Sequence, residues 1–338
     1  MKKITVVGMG AVGGVFAAYL GKHVACELQL SAIARGDTLH KLQAHGLNWV
    51  DANGETHTTP LTATDNPAEL GTQDLVIVSV KGPSLQAVAP TLHPLIGPHT
   101  RVLVAMNGVP WWFFDGLHGE CAGLKLNAVD PEGVIAQHIP TSHVIGCVVH
   151  LSAQSPQPGR IEKIKGNHLV IGEPDGVISD RLNDVAKLLQ GCGFDIQVSP
   201  RIQHDIWFKL WGNMTMNPVS ALTRAPCDQI LDDPLVKDFC SAVMREAQVI
   251  GNRIGCVIEQ EPEARHAVTR SLGSFKTSML QDVEAGKPIE LDALVSVVQE
   301  IGQHLQIATP NINALLGLTR LMARGGGLYP LKHASHQR

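Results

Sequence analysis

Lys2-Lys3-Ile4-Thr5-Val6-Val7-Gly8-Met9-Gly10-Ala11-Val12-Gly13-Gly14-Val15-Phe16-Ala17-Ala18-Tyr19-Leu20 is the stretch whose reading decides the fold. Ile4–Val7 is short, apolar and β-branched, and glycine closes it, which predicts a buried strand; from Val15 to Leu20 the spacing is helical. Gly8, Gly10 and Gly13 stand at the G-x-G-x-x-G positions of the intervening turn. The first lets the backbone turn, the second lets a pyrophosphate approach the main chain, and the third lets the helix pack on the strand. Glycine-rich turns also arise for purely conformational reasons. Here the motif follows a strand and opens a helix, which is the context a dinucleotide site requires. Gly8, Gly10, Ala11, Val12 and Gly13 are therefore candidate cofactor-binding residues, with the phosphates at the helix N-terminus, where free N–H groups and the positive dipole end favour anions.

Around that turn, composition narrows the class. A chain of 338 residues is long enough for two domains with separate cores. Its net charge of −4 shows no nucleic-acid footprint. No apolar run is long enough to span a bilayer, and Lys2-Lys3 lead straight into the cofactor strand, so neither a membrane segment nor a signal peptide is expected. Cys26, Cys121, Cys147, Cys192, Cys227, Cys240 and Cys256 are odd in number and scattered, with no C-x-x-C pair. Such usage predicts free thiols in a reducing cytoplasm rather than disulfides or a zinc site. The histidines show no metal-ligand spacing, so no metal is expected, and the final run His333-Ala334-Ser335-His336-Gln337-Arg338 reads as a frayed tail.

A second strand should end near Ser31-Ala32-Ile33-Ala34. An NAD-preferring site would place Asp or Glu on the ribose just beyond. Arg35 stands there instead, and a guanidinium can grip a 2′-phosphate, which favours NADP(H). The nearby Asp37 leaves NAD open. Further strands are predicted at His45–Val50, Leu75–Val80, Arg101–Ala105, His143–Leu151 and His168–Gly172, with helix-length stretches between some of them. This predicts an α/β, mostly parallel Rossmann-type sheet with some antiparallel pairing late in the series. Ligands in such sheets bind beyond the carboxyl ends of the strands. Lys81 and Asn107-Gly108 occupy such positions and are candidates to face the nicotinamide end of a cofactor. A solvated loop lysine and a simple Asn-Gly turn are the competing readings.

The aromatic run Trp111-Trp112-Phe113-Phe114 is unusual in a chain with 4% aromatics, and Trp207, Phe208 and Trp211 form a smaller group. Both fit either core filling or a pocket wall. After Pro200 strand signals vanish, and helices are predicted at Ile202–Thr223, Pro234–Gly255, Ala264–Ala285, Glu290–Leu305 and Thr309–Ala323. The expected domains are thus a dinucleotide-binding domain over residues 1–199 and an all-α domain over 200–338. Lys209, Asn213 and Asn217 are spaced i, i+4, i+8, which holds them within an arc of roughly 80° on one helix face. Three polar groups in a row on a helix otherwise rich in Trp, Phe, Leu and Met need a partner. Pro218 should bend that helix or remove one of its backbone bonds.

The glycine turn, Arg35-Gly36, Asn107-Gly108, the K-x-x-x-N-x-x-x-N-P helix and the later Ser278-Met279-Leu280-Gln281-Asp282 with Glu290 resemble the ketopantoate reductase (2-dehydropantoate 2-reductase) family over nearly the whole chain. The resemblance implies NADPH-dependent reduction of a 2-keto acid, in pantothenate biosynthesis for the family's namesakes. It implies Lys209 as general acid, Asn213 and Asn217 as substrate ligands, Ser278 on the substrate carboxylate, and Glu290 on the substrate hydroxyl and on the lysine. It also sets Asn107 facing both substrate and nicotinamide. Two features depart from the pattern: Cys227 replaces a further substrate asparagine, and the Trp111–Phe114 run is heavier than a small pocket needs. A homodimer through the helical half is expected by analogy alone.

The residues support the chemistry independently. Reducing a keto group needs a hydride on carbon and a proton or strong hydrogen bond on the oxygen. A cofactor supplies the first, so the protein must supply the second. An apolar setting disfavours the Lys209 ammonium and brings it nearer to proton donation, while Glu290, at a predicted helix start, pulls the other way. A hydroxy-acid or opine-type dehydrogenase whose bulkier substrate is lined by Trp111 and Trp112 is one alternative. A non-catalytic NADP(H) sensor is another, and it leaves the Lys209, Asn213, Asn217, Ser278 and Glu290 set without a use.

Overall fold

The computed structural model describes residues 1–23 and 28–331, so Cys26 and the run from His333 to Arg338 lie outside the described residues. The chain divides into two units, Met1–Lys125 with Asp130–Asp205, and Leu126–Val129 with Ile206–Arg338.

The first unit follows the order β1 (Lys3–Val7), α1 (Ala11–His23), β2 (Gln29–Ile33), α2 (Gly36–His45), β3 (Leu47–Val50), β4 (Thr56–Thr59), β5 (Thr62–Thr64), β6 (Leu75–Val78), α3 (Gly82–Val88), β7 (Arg101–Val104), α4 (Val134–His138), β8 (Val144–Gln157), β9 (Arg160–Gly172), α5 (Asp180–Gly191) and β10 (Asp195–Val198). All the strands join one sheet in the order β4-β3-β9-β8-β7-β6-β1-β2-β5, with β10 also on β9. From β5 to β8 every neighbouring pair is parallel, and β8 and β9 are antiparallel. Val6 lies between Ala32 and Ile77 in the register, and all three are fully buried. Strands covered on both faces read as continuous apolar runs, which is why β1, β6 and β7 were legible as such. The chain passes from β1 to β2 on one side and later to β6 on the other. The carboxyl ends of β1 and β6 thus form the switch point at which open parallel sheets bind ligands.

The second unit is helical, with α6 (Ile202–Thr223) running into it, then α7 (Cys227–Asp232), α8 (Pro234–Arg253), α9 (Pro262–Ser271), α10 (Ser278–Glu284), α11 (Val297–His304) and α12 (Pro310–Gly325). Helix α8 is the centre, packed against α7, α9, α11 and α12. It also meets α6: the Trp211 indole N–H donates to the Met244 carbonyl at 2.8 Å, and a Cβ on Gly251 would lie 2.4 Å from the Trp207 ring nitrogen. Among the described residues no helix is long and apolar enough to cross a membrane.

Several expected boundaries change. The span Ala264–Ala285 is two helices, because Gly273 takes φ +78° and Thr277 caps a new start by accepting from the Leu280 amide at 3.2 Å. The span from Glu290 opens with a π-helical turn, Asp292–Ser296, before α11. The β8–β9 hairpin is longer than its apolar core, since its outer half alternates between faces. Strands β4, β5 and β10 and helix α7 are too short to carry a periodic signal.

The division between units falls after Asp205 rather than after Ser199. The first turn of α6 is held by the sheet unit: Ile202 seats against Gly146 and Gly172, and the Gln203 amide donates to the Pro174 carbonyl at 2.6 Å. Leu126–Val129 belongs with the helices because both Glu300 oxygens accept from the chain there, from Asn127 N and Ala128 N at 2.8 Å each. Trp211 is fully buried, so Trp211→Ala should cost about 3–5 kcal/mol through lost contacts and a cavity. Urea unfolding followed by circular dichroism measures it, and an unchanged midpoint would refute this packing.

Candidate active site

The glycine turn is shaped by close approaches. Gly8 takes φ +93°, and a Cβ there would meet Val80 Cγ1 at 2.7 Å and Val80 N at 2.9 Å. A Cβ on Gly13 would lie 2.0 Å from the Gly8 carbonyl oxygen and 2.3 Å from Ser79 Oγ. Ser79 fixes the arrangement by donating its hydroxyl to the Gly8 carbonyl at 2.8 Å. Sequence reading missed this serine, which carries no motif signal of its own. Gly10 differs: it is exposed, and a Cβ there would meet nothing within 4 Å. Two of the three glycines are thus demanded by the protein, and the third leaves an open face beside Ala11, Val12 and the N-terminus of α1. That is the space a pyrophosphate needs, so the turn fits a dinucleotide.

The other candidates of this unit stand at the carboxyl ends of adjacent parallel strands. Arg35, exposed, lies just past β2 and directly precedes α2. Lys81, half-buried, follows Val80 and directly precedes α3. Asn107, also half-buried, lies beyond β7, followed by Gly108 at φ +84°.

In the helical unit, Lys209, Asn213 and Asn217 share one face of α6, which continues unbroken through Pro218. Proline removes only the bond its own N–H would have made. Lys209 and Asn213 are half-buried and Asn217 is 7% exposed. Neither asparagine carboxamide hydrogen-bonds to another described residue, and neither is sealed from solvent. Both carboxamides thus keep their donors and acceptors uncommitted. The opposite face of the helix carries the fully buried Trp207 and Trp211, which lock its rotation.

Ser278 is the first residue of α10. The capping role falls to Thr277, so the exposed Ser278 hydroxyl is not consumed by the helix. Glu290 is half-buried and immediately precedes Leu291, where helical structure starts. The hydrogen bond from Ile289 N to the Leu328 carbonyl, at 3.1 Å, anchors the strap that carries it. The structure therefore sets the three α6 residues in one row, with Ser278 and Glu290 on separate elements of the same unit.

Burial bears on two features that the sequence left open. Trp111, Trp112, Phe113 and Phe114 are all buried, with Trp112 against Gly146 and the Trp111 indole donating to the Ile139 carbonyl. Their burial is that of packing residues, and it takes away the ground on which a bulkier substrate lined by Trp111 and Trp112 rested. Cys227 is fully buried at the start of α7, and burial pushes its thiol up to about 12. It belongs to the packing of α7 on α8 rather than offering a polar group to a ligand. All six described cysteines are buried thiols. Asp51, Glu55 and His57 cluster on the β3–β4 hairpin, but Asp51 already accepts from the Asn53 and Glu55 amides and from His57.

The model of the ketopantoate reductase PanE/ApbA family matches residues 4–110, and that of its C-terminal domain matches residues 201–323. The 2-dehydropantoate 2-reductase of Mesorhizobium japonicum is 41% identical over 327 residues, covering 97% of this chain and 99% of that protein. The chain belongs to the ketopantoate reductase family.

A crystal structure assigned as a ketopantoate reductase from Ralstonia solanacearum is 56% identical with a TM-score of 0.93, covering 97% of this chain and all of that one. D-mandelate dehydrogenase, solved with NADH and anilino(oxo)acetate, shares the fold at 18% identity and a TM-score of 0.80, over 96% of this chain and 99% of that one. The family resemblance drawn from the motifs is thereby borne out, as is the order of an α/β dinucleotide-binding domain before a helical one.

The glycine geometry separates two outcomes. Gly13→Ala should lose at least about 1–3 kcal/mol of stability, because its methyl meets backbone oxygen. Gly10→Ala should leave the melting temperature unchanged and weaken dinucleotide binding. Thermal melts with and without cofactor read both, and equal melting of the two variants would contradict the turn described.

Proposed function

We propose that this chain is a 2-dehydropantoate 2-reductase, reducing ketopantoate to pantoate with NADPH. The observation that carries the reading is the Lys209–Asn213–Asn217 row on one face of α6, in a chain that matches the Mesorhizobium japonicum reductase from end to end.

The reduced nicotinamide supplies the hydride. Every other requirement falls on the protein. Lys209 holds a proton at the keto oxygen and releases it as negative charge develops there. Asn213 and Asn217 orient the substrate through carboxamides that no internal bond occupies, so they meet it without first breaking a contact. Ser278 offers its hydroxyl to the substrate, and Glu290 holds the substrate hydroxyl and orients Lys209. Asn107, beyond β7, is assigned to the nicotinamide end of the cofactor. Arg35, exposed just past β2, grips the 2′-phosphate and selects NADPH over NADH. Lys81 adds positive charge near the glycine turn. Buried thiols suit a reducing cytoplasm, where pantothenate synthesis would use the product.

Lys209→Ala should lower kcat by about 100-fold or more while leaving the Kd for NADPH within twofold. Loss of reduced-cofactor absorbance with ketopantoate measures the first and fluorescence titration the second. A variant turning over at the wild-type rate rules out Lys209 as acid. Arg35→Ala should cut the preference for NADPH over NADH by about 10- to 100-fold in kcat/KM. An unchanged ratio would move the 2′-phosphate elsewhere.

A further inference from the structure

Arg265, on α9, is a half-buried cation without an anion. Its Nε is sealed from solvent and has no hydrogen-bond partner, and no described carboxylate pairs with the guanidinium. The other arginine of α9 behaves as surface arginines do, with Arg270 on Asp232 at 2.6 Å. Desolvation depresses the Arg265 pKa, with no acidic neighbour opposing it. An unpaired charge in that setting is costly unless a ligand completes it.

The seat that holds it is built into α6. The guanidinium lies over the Phe208 ring, 5.6 Å from its centroid. A Cβ on Gly212 would come 2.7 Å from Arg265 Nε and 3.2 Å from its Nη2. A glycine inside a helix weakens it, and at Gly212 the missing side chain is what admits the arginine. Gly212 follows Lys209 by three residues and precedes Asn213. At about 100° per residue, Gly212 lies roughly 60° and Phe208 roughly 100° around the helix from Lys209, both on the side away from Asn213. Gly212 thus places Arg265 beside the Lys209–Asn213 row, while Phe208, under the guanidinium, borders Trp211 at 6.5 Å between ring centroids.

We propose that Arg265 is a specificity-determining residue that receives the substrate carboxylate on the open edge of its guanidinium, while the keto oxygen lies toward Lys209. The proposal rests on the keto-acid reading above and adds a charged receiver to the Ser278 hydroxyl. A guanidinium fork binds a carboxylate through two parallel N–H···O bonds, and its buried Nε keeps that fork from rotating. The site then selects open-chain 2-keto acids over neutral ketones, esters and lactones of the same shape.

The test compares ketopantoate with its neutral lactone, using NADPH and the wild type, Arg265→Met, Arg265→Lys and Gly212→Ala. Arg265→Met should raise KM for the acid by about 10- to 100-fold, with the lactone changed less than threefold and NADPH affinity intact. Arg265→Lys should recover part of the loss, and Gly212→Ala should reproduce it with the charge retained, by crowding the guanidinium. An unchanged KM for the acid, equal losses on acid and lactone, or a loss confined to NADPH binding would overturn the proposal. If Arg265→Met does not fold, Arg265→Lys and Gly212→Ala carry the same comparison. A wild type that reduces neither compound would refute the reductase reading. Tryptophan fluorescence titrated with pantoate then decides Arg265 separately: binding by the wild type that weakens in the Arg265 variants upholds it, and equal or absent binding overturns it.

Discussion

A missing side chain and a carbonyl oxygen govern the N-terminal unit. At Gly13 the first turn of α1 lies so close to the Gly8 carbonyl that a methyl group would sit 2.0 Å from it, and Ser79, just past β6, bonds the same oxygen. Three elements distant in sequence thus share one point. That point fixes the helix N-terminus at the place where the sheet order reverses, and it leaves Gly10 open on the outer side. The positive end of α1 and Ser79 at the end of β6, two residues before Lys81, are positioned by this contact, and the Gly8 amide ties the turn to β2 by donating to the Ile33 carbonyl at 3.2 Å.

The helical unit solves a different problem, which is how to keep polar side chains on a largely buried helix. Helix α6 does so by dividing its faces. Trp207 and Trp211 anchor one side on α8, where the Trp211 N–H finds the Met244 carbonyl. With rotation locked, Lys209, Asn213 and Asn217 project together from the other side. Their carboxamides stay reachable by solvent and are committed to no internal partner. A sensor that never met a keto acid would have no reason to keep them. The π-helical turn after Glu290 has a related character: it interrupts regular α-helix beside a candidate site residue, where such turns recur.

Much of this was legible beforehand because it rests on local chemistry. The β-branched run before Gly8, the apolar strands β6 and β7, and the four-residue spacing of Lys209, Asn213 and Asn217 are all read from neighbours along the chain. Arg35 at the end of β2 was visible because the strand before it is apolar and the cofactor motif sets where that strand must end. What stayed open depended on contacts between distant residues. Trp111–Phe114 look the same in sequence whether they wall a pocket or fill a core, and only Gly146 and Ile202, meeting Trp112, decide for the core. Cys227 gives no sign in sequence of which way it faces, and its full burial at the start of α7 gives it a packing role.

The sequence by itself determined the two-part architecture, the dinucleotide turn and the polar row, because hydrophobic periodicity and glycine spacing are short-range properties that any folded context must respect. Tertiary structure alone decided that Ser79 braces the turn, that Thr277 rather than Ser278 caps α10, and that Arg265 lies unpaired against Gly212. Each of these depends on which groups meet across tens of residues, and no pattern along the chain encodes whether a charged side chain finds an opposite charge or is left waiting for one.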